Sequence, residues 1–161
     1  MTFGPLLFAP FAIQVHVVCA LAAIVLGPVT LWRRSRDIWH RTAGYIWVIA
    51  MAITAISSFW ISDTPMIGPF GPIHVLSVVT LTGLLRGINA ARAGRTTAHQ
   101  RTMKSLYFWA MGVAGVFTFL PERRMNDVFF SGHPLLGFIA MAVLIAGGLC
   151  LYWITERRRA I

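Results

Sequence analysis

From Phe11 to Trp32 the chain reads FAIQVHVVCALAAIVLGPVTLW, an uncharged run as long as a bilayer is thick. A hydrocarbon core of about 30 Å takes roughly 20 apolar residues at 1.5 Å each. Four further runs come close to that length: Ala43–Ser62, Pro72–Asn89, Met103–Leu120 and Leu135–Thr155. Inside lipid a backbone must satisfy its own N–H and C=O groups, so such runs become helices. The expected fold is all-α, a polytopic membrane helical bundle of about five transmembrane helices, with residues 1–161 forming one transmembrane domain. Pro72 suits a first helical turn, where its missing N–H costs nothing. Pro28, inside the first run, is expected to kink it.

Composition agrees. Hydrophobic residues make up 57% of the chain and charged ones 12%, against about 25% charged in soluble domains. The net charge of +9 would suggest nucleic acid in a soluble protein. Here it is clustered between apolar runs, so it reads as a topology signal and no nucleic-acid partner is expected.

Arg33, Arg34, Arg36 and Arg41 lie between the first two runs; Arg86, Arg92, Arg95, Arg101 and Lys104 surround the junction of the third and fourth; Arg157, Arg158 and Arg159 follow the fifth. Twelve of the fourteen basic residues thus fall on one side, leaving Arg123 and Arg124 on the other. Lysine and arginine excess marks the cytoplasmic face. The expectation is a bacterial inner-membrane protein with its N-terminus outside and its C-terminus in the cytoplasm. MTFGPLLFAPFAI has neither a basic n-region nor an Ala-x-Ala site, so the first run is expected to remain as a helix.

The chain also reads as a pattern written twice. HVVCALAAIVLGPVTLWRRSRDIWHRTAG, from His16 to Gly44, is echoed by HVLSVVTLTGLLRGINAARAGRTTAHQRTM, from His74 to Met103. His16 aligns with His74 at an offset of 58; Arg41, Thr42, Ala50 and Met51 align with Arg101, Thr102, Ala110 and Met111; His40 and His99 miss by one position. The expected architecture is a duplicated two-helix hairpin, 11–62 and 72–120, plus a fifth helix at 135–155. His16 and His74 would then sit about 25 Å from the inner basic layer at 1.5 Å per residue, with His40 and His99 inside that layer.

Neutral imidazole ligates iron through one ring nitrogen while the other N–H is held by a carbonyl. Two imidazoles on facing helices give the six-coordinate iron of an electron-transferring haem. The candidate cofactor is therefore haem b, with His16, His74, His40 and His99 as iron ligands and Arg41, Arg86 and Arg101 as partners for propionates. Arg86 could equally meet a quinone headgroup. Histidine is also at home at a membrane interface, where water and headgroups satisfy it, and the arginines have a sufficient explanation in anionic lipid. His133 reads as a loop residue, and Trp32, Trp39, Trp60 and Trp153 as interfacial anchors. Cys19 and Cys150 lie apart in apolar runs and form no CxxC. The five runs hold no carboxylate, which argues against a carboxylate-driven transporter.

HRTAGYIWV, preceded by a histidine and a G-P-x-x-L-W run and followed by A-H-x-R-x-M-x-x-S-Y-like TAHQRTMKSLY, resembles the bacterial predicted membrane protein family named domain of unknown function 2306. The similarity covers about residues 11 to 125 and rests on His16, Gly27, Pro28, His40, Arg41, Gly44, His74, His99, Arg101 and Met103. It implies a polytopic inner-membrane protein and carries no catalytic role. At the level of architecture, paired histidines in a helical bundle are similar to transmembrane two-haem cytochromes b and to haem-modifying synthases.

Three functions follow as expectations. The first is a haem-binding membrane protein in electron transfer, with quinol as a possible donor, or in oxidase assembly. The second is an accessory subunit of a larger respiratory or photosynthetic membrane complex. The third is a lipid- or small-solute-handling protein with an internal polar cavity. Whether it is an enzyme is left open.

Overall fold

A computed structural model describes residues 4–33, 35–61, 71–120, 123–130 and 134–159. Its described residues are helical, with no strand among them. They fall into two compact units, Ala9–Met111 and a second made of Met1–Phe8 with Gly112–Ile161.

In the larger unit, α2 spans Phe11–Leu31, α3 spans Ile38–Ser57 and continues as a 3-10 turn, Ser58–Trp60. α4 spans Pro72–Arg92 and α5 spans Thr96–Ser105, followed by a π-helical turn at Leu106–Ala110. Neighbouring helices run antiparallel: His16 meets Ser57 at one end of α2 and α3 while Ala23 meets Trp47 nearer the other. On α4 and α5, Gly87 meets His99 and Gly83 lies against Leu106. α2 packs on α3, α3 on α4 and α4 on α5. The π turn closes the ring by laying Tyr107 over Gly27. The result is a four-helix bundle in which α2 faces α4, and α3 faces α5, across the centre.

Ala23, Trp47, Ala50, Met51, Leu84, Met103, Leu106 and Ala110 fill that centre. Trp47 is 2% exposed, and its indole N–H donates to the carbonyl of Ala23 at 3.0 Å. Outward-facing residues are apolar as well, including Val18, Val25, Ile46, Ile49, Val75 and Val79. A helix apolar on all sides belongs in lipid. Among the described residues three helical stretches are long and apolar enough to cross a membrane: Phe11–Leu31, Ile38–Trp60 and Pro72–Arg92.

The other two expected spans differ. The fourth helix begins at Thr96, not Met103, so its first half is the polar TTAHQRTMKS. The apolar part of the last helix covers Leu135–Gly148 within a longer α8, Pro134–Arg159. Helix two likewise begins at Ile38 rather than Ala43, and helix three ends at Arg92 rather than Asn89. Capping explains these shifts. The Asp37 carboxylate accepts the His40 N–H at 3.0 Å and starts α3 among polar residues. Gly94, at φ +71°, ends α4 in a left-handed conformation that favours glycine.

The expected duplication finds no matching register in the helices. α2 and α4 each have 21 residues and begin at Phe11 and Pro72. On that spacing His16 is matched by Ser77, while His74 sits one turn nearer its helix start. The two hairpins are alike in outline and not in the placement of their first histidines.

In the smaller unit, α1 (Gly4–Leu7) and α8 both pack on α7 (Arg124–Phe130), and α6 spans Met111–Thr118. Asn126, fully buried, donates its side-chain N–H to the carbonyl of Phe119 at 2.7 Å. His133 lies outside the described residues.

Candidate functional site

Helical periodicity places all four histidines of the bundle on its inner stripes. His16 is in phase with buried Ala23 and Thr30; His40 with buried Trp47; His74 with Ser77, Leu84 and Gly87; His99 with Met103, Leu106 and Ala110. Residues three, four and seven apart share a helix face. Two levels result, each with its histidines on opposite helices. His16 on α2 and His74 on α4 lie at the end carrying the α3–α4 connection, the far end. His40 on α3 and His99 on α5 lie at the end carrying the arginine-rich connections, the basic end.

At the far end, the Ser57 hydroxyl donates to the Thr54 carbonyl at 3.1 Å and stands 3.1 Å from His16 Nδ1. With its proton so directed, Ser57 accepts from His16 Nδ1–H, which leaves the His16 lone pair on Nε2. His74 is the reverse case. Its Nδ1 accepts the Gly71 N–H at 3.0 Å, capping α4 from its third residue in the manner of a capping-box side chain. The neutral ring therefore carries its proton on Nε2. His74 is 4% exposed and lies 5.5 Å from the Phe59 ring, centre to centre. Ser58 and Ser77 join α3 to α4 beside it with a 2.5 Å hydroxyl pair; with one proton each, one donates across the pair and the other to the carbonyl of its own helix, Ala55 for Ser58 or Ile73 for Ser77.

At the basic end, His99 Nδ1 stands 2.9 Å from the Gly87 carbonyl oxygen. A carbonyl only accepts, so Nδ1 holds the proton and Nε2 the lone pair. That tautomer, fixed by a backbone carbonyl, is the one in which histidine binds metals. His40 Nδ1 is buried and has no hydrogen-bond partner, a costly condition for a polar atom. His40 is the third residue of α3 and His99 the fourth of α5, so both lie in the first turns of their helices, within the basic layer.

Arg41, Arg86 and Arg101 are all exposed. Arg33 instead has a defined local role: its guanidinium grips the Asp37 carboxylate through two bonds, Nε to Oδ1 at 3.0 Å and Nη2 to Oδ2. That grip and the His40 N–H hold the Asp37 carboxyl well below the usual carboxylate range, and Arg33 is raised in turn. Ser57, Ser58 and Gly87 were missed in the sequence. The Ser57–Ser58 pair at the end of an apolar run was the available signal for two of them; a carbonyl acceptor such as that of Gly87 leaves none.

The model of predicted membrane proteins DUF2306 matches residues 13–114. The chain belongs to the DUF2306 family. Its match takes in all four bundle histidines, Gly87 and the Ser57–Ser58 pair, and ends within α6. No curated protein and no solved structure matches the chain. This DUF2306 protein is a predicted integral membrane protein by family, and three helices among its described residues are long and apolar enough to span. Among the described residues no three His, Cys, Asp or Glu side chains gather as a metal site, so an iron here would rest on paired imidazoles.

Proposed function

We propose that this protein is a multi-pass inner-membrane protein that holds haem b between paired histidines and carries electrons. One observation carries the reading: four histidines occupy the inner stripes of four antiparallel helices, in two pairs on opposite helices, at two depths. Lone imidazoles satisfied by headgroups need no such phase.

The two levels differ in fit. At the basic end His99 presents Nε2 with Nδ1 held by Gly87, and His40 has a buried nitrogen without a partner. These two features are what support a bis-histidine iron at this end, and Arg41, Arg86 and Arg101 are the cations nearby in sequence for propionates. At the far end His16 has the fitting tautomer, but His74 uses its lone pair on Gly71. That pair does not fit as it stands, and we assign the haem to His40 and His99. A six-coordinate bis-histidine haem supplies reversible one-electron transfer. The protein's part is to fix the two rings, hold a proton at His99 Nδ1 and exclude water with Trp47, Leu84 and Met103.

Purified protein tests this. A reduced-minus-oxidised spectrum with a b-type α-band is expected, lost together in His40→Ala and His99→Ala and kept in His74→Ala. Absence of both the band and iron would end the haem reading; loss in His74→Ala alone would move the site to the far end. The accessory-subunit reading predicts a colourless protein running with a larger complex on native gels.

The same reading takes the basic end as cytoplasmic, with five spans and the N-terminus outside, on the distribution of arginine.

A further inference from the structure

Hydroxyls inside the spans of this bundle close their bonds within their own helix. Thr30, Thr54, Thr80 and Thr82 each donate to the carbonyl four residues back, as a hydroxyl does where no water is at hand. Thr102 and Ser105 on α5 do not, and neither has another hydrogen-bond partner among the described residues. The same holds of Arg86 and Asn89 on α4.

Packing brings these four side chains to one place. Gly87 lies against Thr102 and Met103, and Gly83 against Leu106, so Arg86 on α4 stands level with Thr102 on the antiparallel α5. Steps of three keep Asn89 beside Arg86 and Ser105 beside Thr102. Arg86, Asn89 and Ser105 are exposed and Thr102 is half-buried, which sets them along the outer seam of the α4–α5 pair and not in the bundle centre. Seven residues back from Arg86 and seven on from Thr102 the same seam turns apolar, with Val79 and Trp109 exposed. Arg86 lies about 9 Å inward of Arg92 at 1.5 Å per residue, within the third candidate span.

We propose that this seam binds an anionic phospholipid, its phosphate held by Arg86 with the hydroxyls of Thr102 and Ser105, and an acyl chain laid along Val79 and Trp109. Every polar side chain of the seam can donate and none is a carboxylate, so the occupant is an anion rich in acceptors; guanidinium grips phosphate through two parallel bonds. Cation and hydroxyls towards the basic end, then apolar surface towards the middle of the span, is the order of the parts of a phospholipid. Charge excludes a second copy of this chain, at a net +9, and the Asp37 carboxylate is already held by Arg33. A headgroup ending in an ammonium would place that cation towards Arg92 and Arg95, which repel it. Basic helix ends attract anionic lipid in general; this site lies deeper and adds hydroxyl donors. It needs no haem, and a haem at His40 and His99 keeps Arg41 and Arg101 for its propionates.

Full-length protein in phosphatidylcholine nanodiscs tests this, with a rising share of phosphatidylglycerol or, in parallel, of phosphatidylcholine brominated on its acyl chains. The Trp109 share of the emission, taken as the difference from Trp109→Phe, should be half-quenched at a phosphatidylglycerol content at least fivefold lower than that of phosphatidylcholine. Arg86→Gln should abolish this preference and Ser105→Ala weaken it at least twofold, while Arg92→Gln keeps it. Circular dichroism checks that each variant folds; should Arg86→Gln fail that check, Ser105→Ala decides. Equal quenching by the two lipids would overturn the inference and leave the seam to an acidic protein partner. A preference that survives Arg86→Gln, or that falls as far in Arg92→Gln, would reduce it to general surface charge and overturn it as well.

Discussion

Pro28 has no N–H to give to the carbonyl of Ile24, four residues back in α2, and that carbonyl faces lipid where no water can replace the bond. Tyr107 supplies it: its hydroxyl donates to Ile24 O at 3.1 Å, while its ring lies in the notch left by Gly27. Tyr107→Phe should therefore destabilise the bundle by about 1 kcal/mol. In a Pro28→Ala background the new N–H reclaims the Ile24 carbonyl, so the same substitution should cost little; a double-mutant cycle of unfolding in micelles measures the difference. Asp37 gives a pH-dependent counterpart. Its carboxyl is depressed in the folded state, so the cap it provides for α3 is fully present above the unfolded carboxylate range of about 4 and is lost as pH falls through the lower folded value. The helical signal of α3 should fray only on strong acidification, and Asp37→Ala, unlike the cap-competent Asp37→Asn, should show that fraying at neutral pH.

Elements differed in how far their sequence disclosed them. Runs of uncharged residues marked α2, α3 and α4 because lipid imposes length and apolarity directly on the sequence. Their ends were less visible, since α3 and α5 begin in polar segments that hydropathy assigns to loops; the signals were the capping Asp37 and the turn at Gly94. Phase was legible for the histidines, because a seven-residue step from His40 reaches Trp47 and a four-residue step from His99 reaches Met103, both buried. What their rings bond was not legible, for that depends on which hydroxyl or carbonyl a neighbouring helix brings across. The π turn at Leu106–Ala110 belongs to the same class: its extra residue swings Tyr107 toward α2, and such turns recur at sites under functional demand. Because the notch at Gly27 accepts that ring, a Cβ there would meet it. Gly27→Ala should destabilise by about 1–3 kcal/mol, read from the same unfolding transition, and Tyr107→Ala should relieve the clash while still forfeiting the bond.

For the molecule as a whole, the exterior of the candidate spans is mostly apolar, with exposed Arg41 and Arg86 near their basic ends, so hydropathy governs insertion and the arginines bias its direction. Twelve of fourteen basic residues belong to one side by sequence. Juxtamembrane arginines contribute about 1 kcal/mol each near an anionic leaflet, so no single replacement should invert the protein. With Cys19 and Cys150 replaced by alanine, a cysteine at exposed Ser35 should react with a membrane-impermeant maleimide only in inside-out vesicles, and one at exposed Trp60 only in right-side-out ones. Neutralising Arg33, Arg34, Arg36 and Arg41 together should yield a mixed population labelled at Ser35 from both sides, because the first hairpin then loses its bias while the second keeps Arg92, Arg95 and Arg101. Labelling of Ser35 from the outside alone in the unaltered protein would reverse the topology. The end of the bundle that carries His40 and His99 would then face the periplasm, and the end that carries His16 and His74 the cytoplasm.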